Sequence, residues 1–600
     1  MSKENKLIIG SIVAVVIMAI GFTYAYFVAN IEGDRKNITI NMTDLRIIFN
    51  GGDTIEGSNL YSEDNFDVVK TFTIENKTKS EYKYNLVIED LVNTTVTTGS
   101  LVYKITCDDS NGYNMTDFQD LPKALTATNT TLAYNIPIAS KALQTYTIEI
   151  KYINKEDVNQ SVDMGTTLSG QLFIEKFEYR NKNLTAVMLE DNPTISERKD
   201  FSTENVANTT GTIYKTNKTE DGSDVYYYSG NTTNNWVKFG KETKISCTYN
   251  GVEVIYANMA SQTIRNVESE NECISTNICS KTNESEIMYA VGLSEEECGQ
   301  VSGTWTIDKA TFSNINDIYW RIIRTNEDGS VKMLYSGLNP LTTTGYIGTL
   351  SFNESYNDPM YVGYMYGTSG SLENNRTNTN DSTIKIYIDN WYENTLLTNY
   401  DKYLSKTAIY CNDRSVPSTD HNGNDNNYST SYDFDYGAYT RLNTNKTPSY
   451  KCGANTSDGL FEDSQAIEDK FSASTNGGGN GQLKYPVALM TADEISFAGG
   501  QNWTTLGSPY AWYYTNSQGE SITGSTGWWT MSPTNWSGYY IVGANVWYVV
   551  GSRSPGELNY DVNQSDYGVR PTISLASCVG IKFGDGTPSY PYVIDESSCS

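Results

Sequence analysis

Apolar and polar positions alternate with a period of two along most of residues 36–178. Val68–Ile74, Tyr82–Ile88, Leu101–Ile105, Thr145–Tyr152 and Ser169–Glu175 each read as a strand, with turn residues between them. Short alternating strands at this spacing predict a β-sandwich over residues 30–178. Leu121-Pro122 and Asn135-Ile136-Pro137 punctuate its loops. One long run breaks the alternation. Leu7 to Val28 is uncharged and apolar, preceded by Lys3 and Lys6 and followed by Glu32 and Asp34. A bilayer-spanning helix takes ~20 such residues, and its positive flank is expected to stay cytoplasmic, which sends the rest of the chain outside. Two readings stand open for residues 1–28. They are a retained signal-anchor, giving a single-pass membrane protein with extracellular bulk, or a signal peptide cut after Thr23-Tyr24-Ala25, giving a secreted one.

Beyond the sandwich the period weakens. Residues 179–210 are polar and read as a linker, with a short helix around Asn183–Asn192. A C-terminal domain is expected over 211–600, interrupted by a Cys-containing insertion at about 241–310. In that insertion Ser294, followed by Glu295, Glu296 and Glu297, suits the N-terminus of one acidic helical turn. Ile318–Arg324 and Val331–Tyr335 flank Asn326-Glu327-Asp328-Gly329, a hairpin signal. Ile384, Ile388, Trp391, Leu396 and Tyr400 recur near helical spacing, predicting a helix over Ile384–Asn399.

Composition narrows the classes. With 600 residues two to four domains are expected. Lys+Arg 43 against Asp+Glu 71 gives a net charge of −28. Such a chain repels nucleic acid, and its contact with a membrane is expected only through residues 7–28. Nine cysteines stand at 107, 247, 273, 279, 298, 411, 452, 578 and 599, with no CxxC and a single histidine, His421. That argues against zinc and for disulfides in an exported protein. Neighbouring positions suggest Cys411–Cys452 and Cys578–Cys599. The four cysteines of 247–298 form a cluster of open connectivity, and Cys107 is left over.

Two resemblances follow from longer blocks. The apolar run leading through Phe22-Thr23-Tyr24-Ala25-Tyr26-Phe27 into a sandwich resembles the camelysin/TasA-type surface and matrix proteins of Gram-positive bacteria. In that family the Thr-x-Ala-Tyr-Phe stretch is a signal-peptide junction. No HExxH and no histidine occur in this region, so a metalloprotease activity is not carried over. In the C-terminal half, Trp320-Arg321-Ile322, Cys411-Asn412-Asp413-Arg414-Ser415, Tyr485–Glu494, Trp528-Trp529-Thr530-Met531-Ser532-Pro533 and Gly568-Val569-Arg570-Pro571 occur in order. As a set they resemble bacterial surface domains with a C-type-lectin-like fold, related to the formylglycine-generating-enzyme/sulfatase-modifying group. The fold class expected is therefore mainly β with some α+β: an N-terminal signal or transmembrane helix, a β-sandwich, then a C-type-lectin-like domain.

The resemblance implies a binding face between the tryptophan block and the Arg570 strand. Its candidates are Trp536, Tyr539, Tyr540, Asn545, Trp547, Tyr548, Asn559, Tyr560 and Asn563. Tyrosine and tryptophan offer rigid contact area, and asparagine adaptable hydrogen bonds. Trp536, Trp547, Tyr539 and Tyr548 remain open between binding and core, whereas Trp320, Trp391, Trp528 and Trp529 are expected in the core. Arg570 is expected in a structural ion pair, and Asp413 and Arg414 in a mutual or buried one. No cofactor is expected, with calcium as the exception to consider, at the Asp420–Asp425 loop and Asp585; Gly423 stands fourth there, where an EF-hand wants glycine sixth. No catalytic residue is assigned, since His421 stands alone. The function expected is cell-surface recognition or adhesion toward a protein or glycan. The alternatives are a structural matrix or fibre component and an extracellular hydrolase using carboxylates.

Overall fold

A computed structural model describes residues 28–31, 47–50 and 66–599, apart from 98, 110–111, 154–159, 164–165, 178, 250–251, 275–276, 284–285, 454–468, 476–478, 502–510, 540–541, 552–557 and 563–566. The protein is mainly β, 39% strand and 13% helix, as the alternating pattern predicts. It divides into two compact units, residues 1–178 with 277–307, and residues 179–276 with 308–600. Of the apolar run 7–28 only Val28 falls among the described residues. No helix of the described residues is long and apolar enough to cross a membrane.

In the first unit, β1 (Val28–Ile31), β4 (Tyr82–Asn93), β7 (Ala124–Ile138) and β9 (Thr167–Lys176) form a sheet in the order β1-β9-β4-β7. A second sheet, β2-β3-β8-β5-β6, comprises β2 (Ile47–Asn50), β3 (Phe66–Asn76), β5 (Leu101–Cys107), β6 (Gln119–Asp120) and β8 (Leu143–Tyr152). Both sheets send side chains into one core: Phe72 and Ile74 from β3, Leu86 and Ile88 from β4, Ile148 and Ile150 from β8, Leu172 and Ile174 from β9. Along β8 the buried Tyr146, Ile148 and Ile150 alternate with half-exposed Thr147 and Glu149, the period read from the sequence. Tyr84 enters this core with its hydroxyl satisfied by Gln144 at 2.8 Å and Tyr146 at 2.7 Å. Cys107 is a free, half-buried thiol whose pKa burial pushes up. The 277–307 part carries the hairpin Ile278–Asn283/Glu286–Val291, the Cys279–Cys298 disulfide and the helix Glu295–Gln300. Ser294 closes that helix with a reciprocal capping box to Glu297, which satisfies two otherwise orphaned donors.

The second unit starts earlier than the sequence suggests. Residues 179–210, expected as a linker, supply β10 (Lys182–Asn183), α1 (Leu184–Asp191) and β11 (Thr194–Ser196). Leu184, Val187 and Met188 of α1 are buried in the unit's core and anchor this otherwise largely exposed segment to the unit. The main sheet runs β10-β23-β24-β14-β15-β13-β12-β11, with β12 (Thr212–Thr216), β13 (Val225–Tyr227), β14 (Trp236–Glu242), β15 (Asn316–Thr325), β23 (Gly580–Phe583) and β24 (Tyr592–Ile594). A branch leaves β15 through β16 (Val331–Tyr335) to β22 (Pro571–Leu575) and β18 (Val487–Leu489). The β15–β16 turn is the expected hairpin, with Gly329 at φ +79°, a backbone conformation that favours glycine. The predicted helix is α2 (Thr383–Thr395), capped by Ser382, with Ile384, Ile388 and Tyr392 buried. Trp320, Trp528 and Trp529 are core residues, while Trp391 is partly buried and packs against that core. Disulfides Cys247–Cys273, Cys411–Cys452 and Cys578–Cys599 close this unit. With Cys279–Cys298 they make four among the described residues, consistent with an extracellular protein.

Buried charge organises the second unit. Helix α3 (Ala492–Ala498) is capped by Thr491, and Glu494 completes the capping box. The same Glu494 carboxylate accepts from Lys332 Nζ at 2.8 Å and Arg324 Nε at 3.1 Å, all three groups being buried. Next to it, Arg441 holds Asp493 through two bonds of 2.9 and 2.8 Å and Asp413 through one of 2.7 Å. Arg414 is paired with Asp469 through Nε and Nη2, Nη2 also donating to Asn378 Oδ1 at 2.7 Å and Nη1 to the Asn375 carbonyl at 3.1 Å. Asp413 and Arg414 are thus buried and paired as expected, but with distant partners and not with each other. Neighbouring side chains on an extended backbone point apart. Between Arg324, Lys332, Asp413, Arg441, Asp493 and Glu494 the enclosed space is about 10 Å³, enough for about one water. It is a packed network and not a ligand pocket.

Burial alone would raise the Glu494 and Asp469 carboxyls, yet their cationic partners hold both below the usual carboxylate range. Replacing Glu494 by Gln leaves Lys332 buried without its hydrogen-bonded counter-charge and Arg324 with Glu327 at 3.7 Å as its remaining carboxylate, and a loss of about 3–5 kcal/mol is expected in denaturant unfolding of the second unit. A cost under ~1 kcal/mol would show the network to be dispensable. The pH dependence has a defined sign. Because the folded-state values are depressed, the stabilisation is complete above about pH 4–5 and is lost as pH falls further. Asp389 and Asp435, which burial pushes up, oppose this only in part. Thermal melts between pH 3 and 7 are therefore expected to show a falling midpoint on the acid side, and E494Q a shallower fall.

Candidate recognition surface

Strands β17 (Phe434–Asp435), β19 (Trp528–Ser537), β20 (Gly543–Val549) and β21 (Leu558–Val562) form a four-stranded antiparallel sheet in that order. It contains most of the residues expected to bind, and it buries several of them. Trp536 and Trp547 are core side chains and Asn545 is buried as well. Trp547 meets the Tyr439 ring at 5.6 Å, while Trp529 on the neighbouring strand packs against Phe352. Both faces of the sheet are therefore covered. Aromatic residues on such strands fill the core of a chain poor in aliphatic ones. Tyr548 is half-buried against Trp529 and Tyr567. Asn559 and Tyr560 stand opposite Tyr548 and Trp547 in the backbone register, and Tyr540 and Asn563 lie outside the described residues. Among the predicted residues whose side chains are described, Tyr539 is the one that is mostly solvent-exposed, at 64%.

Tyr539 does not stand alone. It lies in the β19–β20 turn with Val542, 41% exposed, and beside two loops that the sequence did not single out. One loop carries Tyr432, 68% exposed, and the other Tyr356, 40% exposed. Asp433 Oδ1 accepts from the backbone N–H groups of Gly538 at 2.7 Å and Tyr539 at 3.2 Å, which ties the first loop to the hairpin. At Gly538 an added Cβ would fall 2.8 Å from the Tyr432 backbone nitrogen and 2.7 Å from Trp536 Nε1. Only glycine permits this approach. The second loop is tied by Ala544 N–H donating to the Tyr356 carbonyl at 2.9 Å. Tyr432 and Tyr356 sit in stretches without periodicity, so nothing in the pattern pointed to them.

Under Tyr356 a notch lined by Phe352, Asn353, Tyr361, Trp529 and Val546 has a volume of about 10 Å³. Pockets that engulf a small ligand are of the order of 300–1,000 Å³. What this region offers is a projecting aromatic surface with one water-sized depression. The expected Arg570 ion pair is absent from the described residues near it. Arg570 is fully buried, donates to the Tyr335 and Tyr513 carbonyls at 3.0 and 2.7 Å and to Ser336 Oγ at 3.2 Å, and lies over Trp528. Burial without a carboxylate pushes its pKa down to about 9.

His421 is set by a carboxylate. Its Nδ1 lies 2.7 Å from Asp435 Oδ2 and its ring meets that of Tyr439 at a tilt, 4.8 Å between centroids, while Nε2 faces the Asn422 amide at 3.0 Å. The outer nitrogen meets an amide here, where a catalytic dyad would need a nucleophile or a proton to take. The Asp420 carboxylate is spent on its own turn, accepting from the Asn422 and Asn424 N–H groups at 2.9 and 2.8 Å and the Asn424 amide at 3.0 Å. Asp585 accepts from Thr587 in the same way. Among the described residues no group of three or more His, Cys, Asp or Glu is placed to hold a metal ion.

No protein-family model and no curated protein matches the chain. Among solved structures, AvmM, described as catalysing macrocyclization in alchivemycin A biosynthesis, is 9% identical with a TM-score of 0.12, over 23% of this chain and 88% of that one. A GH20 exo-β-N-acetylglucosaminidase from Vibrio harveyi is 9% identical with a TM-score of 0.08, over 48% of this chain and 40% of that one. Similarities this slight carry no statement about fold or activity.

Proposed function

We propose that the chain is an exported cell-surface recognition or adhesion protein without catalytic activity. Its second unit is a C-type-lectin-like head, its first a sandwich stalk, and residues 7–28 deliver the chain outside as an anchor or a removed signal. The observation that carries this reading is the set of exposed tyrosines on loops tied to the β19–β20 hairpin, Tyr432 and Tyr539 through Asp433 and Gly538 and Tyr356 through the Ala544 N–H. Exposed aromatic side chains held on a rigid support lose little entropy on binding and dominate interface energetics. The four disulfides and the acidic composition suit such a site outside the cell.

The test is an array of surface proteins and glycans probed with the full chain and with a Tyr432→Ser/Tyr539→Ser variant. Binding to at least one probe is expected, with the double variant at least 10-fold weaker and its melting temperature unchanged within about 2 °C, since neither side chain is in the core. Gly538→Ala is expected to weaken the same binding by displacing the Tyr432 loop. An absence of binding together with hydrolysis of an arrayed substrate would overturn the reading, and so would fibre formation by the purified chain without ligand binding.

A further inference from the structure

We propose that Asn422-Gly423 is a self-modification site, at which the chain converts its own asparagine to aspartate or isoaspartate with His421 as the acid. The dipeptide lies in the loop 418–426, and both of its residues are exposed. Gly423 takes φ +84°, and no atom stands within 4 Å of the place a Cβ would occupy. Without a side chain there, the Gly423 nitrogen approaches the Asn422 amide carbon unhindered. Its N–H is on the Asp420 carbonyl at 3.1 Å and gives up that bond to attack. The rest of the turn is kept by the Asp420 carboxylate, which accepts from the Asn422 and Asn424 N–H groups.

The amide nitrogen that has to leave faces the histidine, with His421 Nε2 lying 3.0 Å from Asn422 Nδ2. Behind the ring, Asp435 Oδ2 is 2.7 Å from Nδ1 and accepts from the His421 backbone N–H at 2.7 Å. Asp435 is itself buried on β17, paired with Asn535 of β19, so the ring is held from its inner side. A carboxylate behind an imidazole stabilises its protonated form, and that form delivers a proton to a leaving amine. In the first step the Gly423 nitrogen bonds to the Asn422 amide carbon and its proton passes to water. Nδ2 takes the Nε2 proton, its bond to carbon breaks, and ammonia departs from a cyclic imide. Water, the co-reactant, then opens the imide at either carbonyl to give aspartate or isoaspartate, and the imidazole regains its proton from solvent. The new carboxylate joins Asp420 and Asp435 beside His421. The isoaspartate form also lengthens the backbone inside the turn closed by the Thr419–Asp425 bridge. Asn480-Gly481 has the same two residues without this setting. The Asn480 amide donates to Asp469 at 2.8 Å and accepts from the Lys470 N–H at 3.1 Å, and Gly481 pairs with Phe471 in a sheet.

The experiment incubates the folded full chain at neutral pH and follows each asparagine by peptide mass spectrometry, with chromatographic separation of the aspartate and isoaspartate products. Asn422 is expected to convert and Asn480 to persist. His421→Gln is expected to slow conversion of Asn422 by at least about 10-fold, and free imidazole in the buffer to restore part of the rate. In denaturant, where the ring is no longer held at the amide, both chains are expected to convert Asn422 equally fast. The comparison of Asn422 with Asn480 in the unsubstituted chain stands whatever the variant does to the fold. Conversion of Asn480 as fast as Asn422 overturns the inference, and so does an equal or faster rate at Asn422 in folded H421Q. An H421Q rate indifferent to imidazole, or an Asn422 still intact when the unfolded chain has converted, overturns it as well.

Discussion

The second unit is built around one carboxylate. Glu494 caps its own helix through Thr491 and in the same position neutralises Lys332 on β16 and Arg324 on β15. A helix terminus, the hairpin at the centre of the main sheet and, through the adjacent Asp493–Arg441–Asp413 chain, the Cys411 loop are fixed relative to one another by charge. The need for such a network follows from composition. A chain with 17 Phe, 46 Tyr and 10 Trp but loop-rich connections cannot specify its packing by aliphatic interdigitation alone. Polar groups drawn into the interior must then be satisfied in full or they destabilise it. The buried Arg570 and Arg321 extend the same logic, each sharing its protons among backbone and side-chain acceptors and resting on tryptophan rings.

That interior sets what the surface can do. Because Trp536, Trp547 and Asn545 are committed to the sheet core, the exposed aromatic side chains of this region lie in the turns and loops that leave the sheet. Gly538 lets the Tyr432 loop press against the hairpin, and the Asp433 carboxylate binds two of its backbone N–H groups. The result is a set of exposed aromatic side chains on loops tied to the hairpin by backbone hydrogen bonds.

Local chemistry was legible in the sequence where it depends on neighbours along the chain. The Ser294–Glu297 capping box, the Asp328-Gly329 hairpin, the helix beginning at Ile384 and the Cys411–Cys452 and Cys578–Cys599 bridges are all short-range, and the structure has each of them. The alternation in β8 was legible because one face of that strand is buried and the other is not. Partners at long separation were not legible. Asp469 lies 55 residues from Arg414 and Glu494 162 from Lys332, and nothing in spacing encodes such pairs. The aromatic strand residues stayed open between binding and core for a related reason. A tryptophan on an alternating strand looks the same in sequence whether its face meets solvent or another layer, and here both faces of the β19–β20 pair are covered. Residues 179–210 looked like a linker because α1 is short and contributes only three buried side chains.

Recognition at the tyrosines around the β19–β20 turn is tested most directly by tyrosine-selective chemical labelling of the full chain. Labelling is compared with and without saturating amounts of the cell-surface material it binds. Tyr356, Tyr432 and Tyr539 are predicted to be protected on binding, while Tyr179, 49% exposed in the same unit, stays fully labelled as an internal control. Unchanged labelling of Tyr432 and Tyr539 at saturation, or protection of Tyr179 alone, would contradict the account.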